Sequence, residues 1–281
     1  MKKILKILIE TSLKFVVYIL GKINSGRYIL DELNKNIIKK KEIIVYKDLK
    51  LTFYVPNRLS HYRVNTFHTK EPETLEWVDK FKKKTTFWDI GANIGLYSCY
   101  AAKKNLCKVY AFEPSIFNLE WLRRNIFLNN LVEKIVVVPI PLTEKILENT
   151  LNFSSTEWGG AFTTFGQSYG HDGKDLKKVF ELSTLGMSMN DVKNLLNISQ
   201  PDYIKIDVDG IEHLILKGGE KVLLNTKELL IEINERFEQQ KNNCVKYLTR
   251  LGFSLREKKN SDLFKGVDYS SVYNQIWVKQ L

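Results

Sequence analysis

The chain has 281 residues, 44% of them apolar and 12% aromatic, enough to bury one large core in a single main domain with an N-terminal extension. Its three cysteines, Cys99, Cys107 and Cys244, form no C-x-x-C pair and are odd in number, which argues against a disulfide or zinc framework and makes a reducing, cytoplasmic setting the simplest reading. A net charge of +11 attracts acidic partners such as nucleotide sugars, polyphosphates, nucleic acid or anionic lipid without choosing among them.

In the stretch from Met1 to Lys22, apolar Ile4, Leu5, Ile7, Leu8, Leu13, Val16, Val17, Ile19 and Leu20 surround a polar stripe of Lys3, Lys6, Glu10 and Lys14, the pattern of an amphipathic helix. Charge interrupts it too often for a membrane span, and no small-residue cleavage site follows. Packing on the catalytic domain or on a partner chain is expected ahead of a helix lying on the inner membrane face. After a polar connection at 31–41, residues 43–46 and 51–55 predict two strands joined by the charged turn Lys47 to Lys50, a hairpin able to cover one edge of the main sheet. Residues 1–70 therefore form a helix and hairpin extension, and 71–281 the catalytic domain. Lysines at 39–41, 82–84 and 258–259 are expected to be solvated faces, and aromatic residues are not interleaved with them as on a single-strand binding surface.

Glu71-Pro72-Glu73-Thr74 opens a helix to about Phe81, with proline suited to its first turn. Strand and helix signals then alternate over 85–90, 94–105, 108–113, 115–129 and 135–140, which predicts an α/β, doubly wound, parallel sheet with helices on both faces. Residues 142–200 break the rhythm, with Trp158-Gly159-Gly160-Ala161-Phe162 near their centre. The expectation is an acceptor-facing loop in which Trp158 binds substrate, and the alternative is a surface hairpin with Trp158 filling its underside. The pattern resumes with strand 202–208, helix 211–224, strand 229–234, helix 238–250 and strands near 252–256 and 273–279.

The densest chemistry lies in Phe87-Trp88-Asp89-Ile90-Gly91-Ala92-Asn93-Ile94-Gly95, followed by Ala111-Phe112-Glu113-Pro114. An apolar strand ending in Asp, a turn on two glycines, a helix and a second strand ending in Glu make the front half of a nucleotide-binding βαβ unit. The glycines are four apart and enclose Ala92 and Asn93, which leaves little room for a diphosphate, whereas Glu113 lies near the offset of a ribose-binding carboxylate. A ligand with a ribose, no diphosphate and a positive charge that acidic strand ends favour fits S-adenosylmethionine. Asp89, Gly91, Asn93, Gly95, Glu113 and Pro114 are thus the cofactor-binding candidates.

Taken together and in order, WDIGANIGLYS, VYAFEPSIFNLEWLRRNIFLNN, PDYIKIDVDGIEHLILKGG and LLIEIN resemble the FkbM family of S-adenosylmethionine-dependent methyltransferases, from about Glu71 to about Asn274. The resemblance implies a Rossmann-like class I methyltransferase fold, a seven-stranded, mostly parallel sheet with its last strand antiparallel, and transfer of methyl to a hydroxyl oxygen. Surface-polysaccharide sugars and polyketides are the acceptors it implies, a sugar of a surface glycan or its precursor being the leading expectation. Lipid and nucleic-acid acceptors are alternatives. No N-P-P-Y or D-P-P-Y segment appears at the fourth strand end, where exocyclic-amine methyltransferases resemble one another, so nucleic acid is disfavoured. A nicotinamide-dependent oxidoreductase calls for a tighter glycine pattern, and a non-catalytic scaffold has no need of three acidic strand ends.

The catalytic candidates are Asp207, at the end of the fourth parallel strand, and Asp209, Glu212 and His213 just beyond it. Methyl transfer needs the acceptor oxygen aligned with methyl and sulfur, and a hydroxyl benefits from a base as attack proceeds. His213 has the most suitable intrinsic pKa, but its place in the following helix allows it to point away from the cleft. Glu232 and Asn234 share one face of strand 229–234 and are candidates for acceptor binding, a buried pair being the alternative for Glu232. Clustered oxygens alone are poor evidence for a divalent ion, and no metal is assigned.

Overall fold

A computed structural model of the chain describes residues 2–260 and 268–280. Helices α1 (Lys2–Gly21) and α2 (Asn24–Ile38) come first, then strands β1 (Lys41–Tyr46) and β2 (Leu49–Tyr54), and the short helices α3 (Arg58–Asn65) and α4 (Pro72–Asp79). The alternating segment runs β3 (Thr86–Ile90), α5 (Leu96–Asn105), β4 (Lys108–Phe112), α6 (Ile116–Leu128) and β5 (Ile135–Val138). Where the rhythm breaks lie β6 (Leu147–Phe153), β7 (Thr163–Phe165), β8 (Phe180–Gly186) and α7 (Met189–Leu195). The remainder is β9 (Tyr203–Ile206), α8 (Glu212–Lys217), α9 (Glu220–Leu223), β10 (Glu228–Asn234), α10 (Glu238–Arg250), β11 (Phe253–Lys259) and β12 (Val272–Lys279).

Seven strands form one sheet in the order β11-β12-β10-β9-β3-β4-β5. Strand β12 is antiparallel to both its neighbours, and the other four pairings are parallel. This is the mostly parallel, doubly wound α/β sheet expected from the sequence. Side chains alternate across the pleat, so Phe87 enters the hydrophobic core on one face and Trp88 the core on the other. The chain leaves β3 toward β4 and β5, then crosses back to β9 and β10. A crevice therefore opens at the carboxyl ends of β3 and β9, where strand order reverses.

Four expectations change. The hairpin β1–β2 does not cover a sheet edge; it is a separate two-stranded sheet lying on α6, where the Thr52 and Tyr54 amides donate to Asn129 and Asn125 side chains, each at 2.9 Å. Residues 31–38 are helical rather than a connection, because Ile29, Leu30, Leu33 and Ile37 recur at helical spacing. The helix expected over 211–224 divides into α8 and α9 at Gly218-Gly219, where a Cβ on Gly218 would stand 2.5 Å from the Thr143 carbonyl and one on Gly219 would stand 1.9 Å from Met189 Cε. Residues 147–186 are an antiparallel sheet of order β7-β6-β8 rather than an open loop.

Of the two packings expected of the N-terminal helix, the one on the catalytic domain is not seen. The helix contacts α2, but its described apolar side chains, among them Ile4, Leu8, Phe15 and Tyr18, remain exposed instead of packing on the catalytic domain. Among the described residues, no helix is long and apolar enough to cross a membrane. All three cysteines are buried and unpaired.

Candidate active site

The turn after β3 is built by close approach of protein to protein. Gly91 and Gly95 have φ of 87° and 86°, a region that disfavours any Cβ, and Asn93 also lies at positive φ. A Cβ on Gly91 would fall 1.9 Å from the Asp207 carbonyl oxygen, and one on Gly95 would fall 2.5 Å from Leu122 Cδ1. Both glycines are thus required by the neighbouring strand and helix, whatever the ligand. Gly91 still borders the crevice, whereas Gly95 does not line it. Asp89 does not line it either: its side chain is buried, with Oδ2 accepting from Ser98 Oγ at 2.5 Å, so it stabilises the start of α5 from inside.

Glu113 directly follows β4 at the crevice wall. Its Oε2 accepts from the Asn93 amide at 2.7 Å and its Oε1 from the Ser115 amide at 2.8 Å, which ties the two βα turns together. A carboxylate has about four acceptor positions, so both oxygens keep capacity for a ligand. Burial pushes the Glu113 pKa up to about 7, against the lowering effect of those amides. Pro114 lines the wall beside it.

The segment before β7 closes over this turn. The Gly160 carbonyl accepts from Asn93 Nδ2 at 2.7 Å and Asn118 Nδ2 at 3.1 Å, and the Gly159 carbonyl accepts from Arg63 Nε at 2.6 Å. Ser155, Gly160, Ala161, Phe162 and Thr163 line the crevice, but Trp158 does not. The Trp158 ring packs on Trp121 with centroids 5.1 Å apart, and its carbonyl accepts from Asn57 Nδ2. Its large ring is partly buried against the core, as the alternative reading of Trp158 has it, while the surrounding loop faces the cleft.

The floor is a network of opposite charges. Lys205 is buried, and its ammonium donates to Asp207 Oδ2 at 2.6 Å. Burial would lower the Lys205 pKa, but the Asp207, Glu71 and Asp89 carboxylates raise it above the ordinary lysine value. Glu71 pairs with Lys70 at 2.5 Å. Against the effect of burial, the Lys70 and Lys205 charges bring its pKa down to about 2. Asp209, at a φ of 64°, accepts from the Phe162 amide at 2.7 Å; burial and then the Asp207 charge push it up to about 6. Burial, followed by Asp207 and Glu71, raises Glu232 well above the ordinary carboxyl range. Asp207, Asp209 and Glu232 all line the same cleft of about 410 Å³, together with Glu113, Arg63, Lys70, Leu59 and Tyr62.

Three further candidates lie elsewhere. Glu212 is buried and accepts from the Val208 and Gly210 amides at 3.2 and 3.1 Å and from Gln240 Nε2, so it shapes the loop that presents Asp207 and Asp209. His213 is buried on α8 with neither imidazole nitrogen hydrogen-bonded, and burial lowers its pKa. It is outside the cleft, because the first turn of α8 points it away. Asn234 is also outside: its Nδ2 donates to the His171 carbonyl at 3.1 Å and its Oδ1 accepts from Ser271 Oγ at 2.9 Å, holding two loops together. Sharing a strand face with Glu232 was insufficient, since those loops cover Asn234 and leave Glu232 open.

The sequence reading missed Arg63, Lys70, Asn118 and Lys205. Lys205 had a legible signal, a lysine two residues before Asp207 in an apolar strand and hence on the same face. Arg63 and Lys70 had none, for they reach the cleft from a segment preceding the first sheet strand.

A family model described as the methyltransferase FkbM domain matches residues 89–255, over half of the chain. No curated protein matches it. Similar solved structures include precorrin-6y C5,15-methyltransferase from Geobacter metallireducens GS-15, at 14% identity and a TM-score of 0.44, covering 75% of this chain and 87% of that one. TYW2 of M. jannaschii in complex with AdoMet shares 13% identity at a TM-score of 0.45, covering 85% and 87%. An rRNA methylase from Streptococcus thermophilus shares 13% at 0.45, covering 75% and 97%.

Proposed function

The chain belongs to the FkbM family of S-adenosylmethionine-dependent methyltransferases, and from that premise we propose that it methylates a hydroxyl of a sugar in a surface glycan or its precursor. The lining of the cleft carries this reading. Carboxyl groups of Asp207, Asp209 and Glu232 stand with the Arg63 guanidinium and the rings of Tyr62 and Phe162, a mixture of hydrogen-bonding groups and aromatic faces that suits a sugar. Arg63 further suits a sugar that bears an acidic group.

The donor set also fits the cofactor. The carboxyl groups of Glu113, Asp207 and Asp209 favour a cation carrying a ribose diol, and a volume of about 410 Å³ falls within the roughly 300–1,000 Å³ of small-molecule sites. S-adenosylmethionine supplies an electrophilic methyl group on a sulfonium. In this proposal Glu113 accepts from the ribose hydroxyls, and Gly91 and Asn93 border the amino-acid end. Asp207 takes the hydroxyl proton as the new carbon–oxygen bond forms. Glu232, at the same wall, offers its carboxyl group to an acceptor hydroxyl and helps to align it.

A pH dependence of cofactor affinity follows. A cation and two ribose donors prefer the deprotonated form of Glu113, whose pKa is about 7, so binding should be tightest above pH 7 and weaken as pH falls through that value. Glu113→Gln should lose that limb and bind more weakly at pH 8 by about 1.5–3 kcal/mol, the range for hydrogen bonds to a charged group. Titration calorimetry across pH checks both, and wild-type affinity in the variant would remove Glu113 from the cofactor site.

The acceptor is tested by incubating the protein with methyl-labelled S-adenosylmethionine and a cell-envelope extract. Label is expected in the polysaccharide fraction and released by sugar hydrolysis as O-methyl sugars. Label confined to nucleic acid, or to phospholipid free of sugar, would overturn the acceptor assignment and leave the methyltransferase family untouched.

A further inference from the structure

Helices α1 and α2 are joined at Lys22-Ile23, with Gly26 buried against the end of α1: a Cβ there would stand 2.2 Å from the Leu20 carbonyl. Apart from Ile38, neither helix contributes to the two hydrophobic cores. Apolar positions cover about two thirds of the circumference of α1, leaving a stripe marked by Lys6, Glu10 and Lys14. On the apolar side, Ile4, Leu8 and Phe15 are 65%, 58% and 65% exposed, and Tyr28 on α2 is 67% exposed. A helix of this length spans about 30 Å, so the bare surface exceeds the few hundred Å² that a protein ordinarily leaves apolar in water.

Charge identifies what covers it. Residues 1–41 carry ten lysines and arginines against three acidic residues, a net +7 of the chain's +11. A second copy of this segment would bring this charge against itself, whereas an anionic lipid surface offers both an acyl region for the apolar face and phosphates for the cations. Interruption by Lys6, Glu10 and Lys14 keeps α1 from spanning, in keeping with the absence, among the described residues, of any helix long and apolar enough to cross a membrane. We propose that α1, with α2 following it, docks in the plane of an anionic membrane surface, its apolar face at the acyl boundary and the lysines of the two helices among the headgroup phosphates.

The test is co-sedimentation of the full-length protein with phosphatidylcholine vesicles, neutral or with about one third phosphatidylglycerol. Binding to the anionic vesicles should exceed that to neutral ones by about tenfold or more at low salt and weaken at high salt. Leu8 and Phe15 lie on one face two turns apart, so Leu8→Glu with Phe15→Glu should lower anionic binding more than about tenfold. Lys6→Glu with Lys14→Glu should lower it about fivefold or more per residue and leave neutral binding unchanged. All four side chains are exposed, so an unaltered thermal midpoint is expected to accompany each loss. Equal binding to neutral and anionic vesicles, or full binding by the Leu8 and Phe15 variant, would overturn the proposal. So would a dimer in sedimentation that the same variant converts to monomer, which would assign the face to a second copy.

Discussion

Asp207→Asn is expected to lower methyl transfer by about a hundredfold or more, the scale of a lost base or charged stabiliser, while S-adenosylmethionine affinity changes within a few fold. The substitution keeps the side-chain shape and an oxygen for the Lys205 ammonium at 2.6 Å, but removes the charge that faces the cleft. Lys205 retains Glu71 and Asp89 as nearby carboxylates, so the fold should survive with an uncompensated fraction of its buried charge. His213→Ala is the informative companion. Buried on α8 and outside the cleft, His213 should leave the rate and any pH limb within about twofold of wild type. A rate assay with the labelled cofactor reads both, and wild-type turnover in the asparagine variant would sink Asp207 as the base.

Gly91→Ala should be among the most destabilising single-methyl additions available in this chain. Its Cβ would stand 1.9 Å from the Asp207 carbonyl, which is backbone in a central strand's exit and has little freedom to move. Overpacking of that kind costs about 1–3 kcal/mol. A left-handed conformation, at a φ of 87°, adds about 1–2 kcal/mol once a Cβ is present. A total near 3 kcal/mol or more should appear as a lower denaturation midpoint, with turnover lost even in the fraction that remains folded, because Asp207 is displaced. Gly95→Ala should cost less, since the atom it meets is the end of the Leu122 side chain and can rotate away. An unchanged midpoint for Gly91→Ala would contradict the contact assigned to it.

The two acids most legible in the sequence, Asp89 and Glu113, have different fates for a local reason. Each ends a parallel strand, but Asp89 points beneath the turn to Ser98 while Glu113 stands at the wall with two amides. Strand-end position could be read from the motif; the direction of the side chain depended on which helix start lay beneath it. The same holds beyond β9, where four acidic or basic side chains fall within seven residues. Asp207 and Asp209 reach the cleft, whereas Glu212 is consumed by the Val208 and Gly210 amides and His213 turns away with α8.

Local sequence by itself determined the alternation of strands and helices from β3 to β5 and again from β9 to β10, the acidic strand ends and the amphipathic character of α1, because periodicity and turn sterics act over a few neighbouring residues. Tertiary structure decided everything that depends on residues far apart in the chain. Arg63 and Lys70 join Asp207 and Glu232 only when α3 packs beside the sheet's carboxyl edge, and the raised pKa values of Glu113, Asp209 and Glu232 exist only once burial removes water from them. Packing also decided that β1–β2 lies on α6 and that α1 stays bare, since an apolar stripe specifies that a helix needs a partner and not which surface provides one.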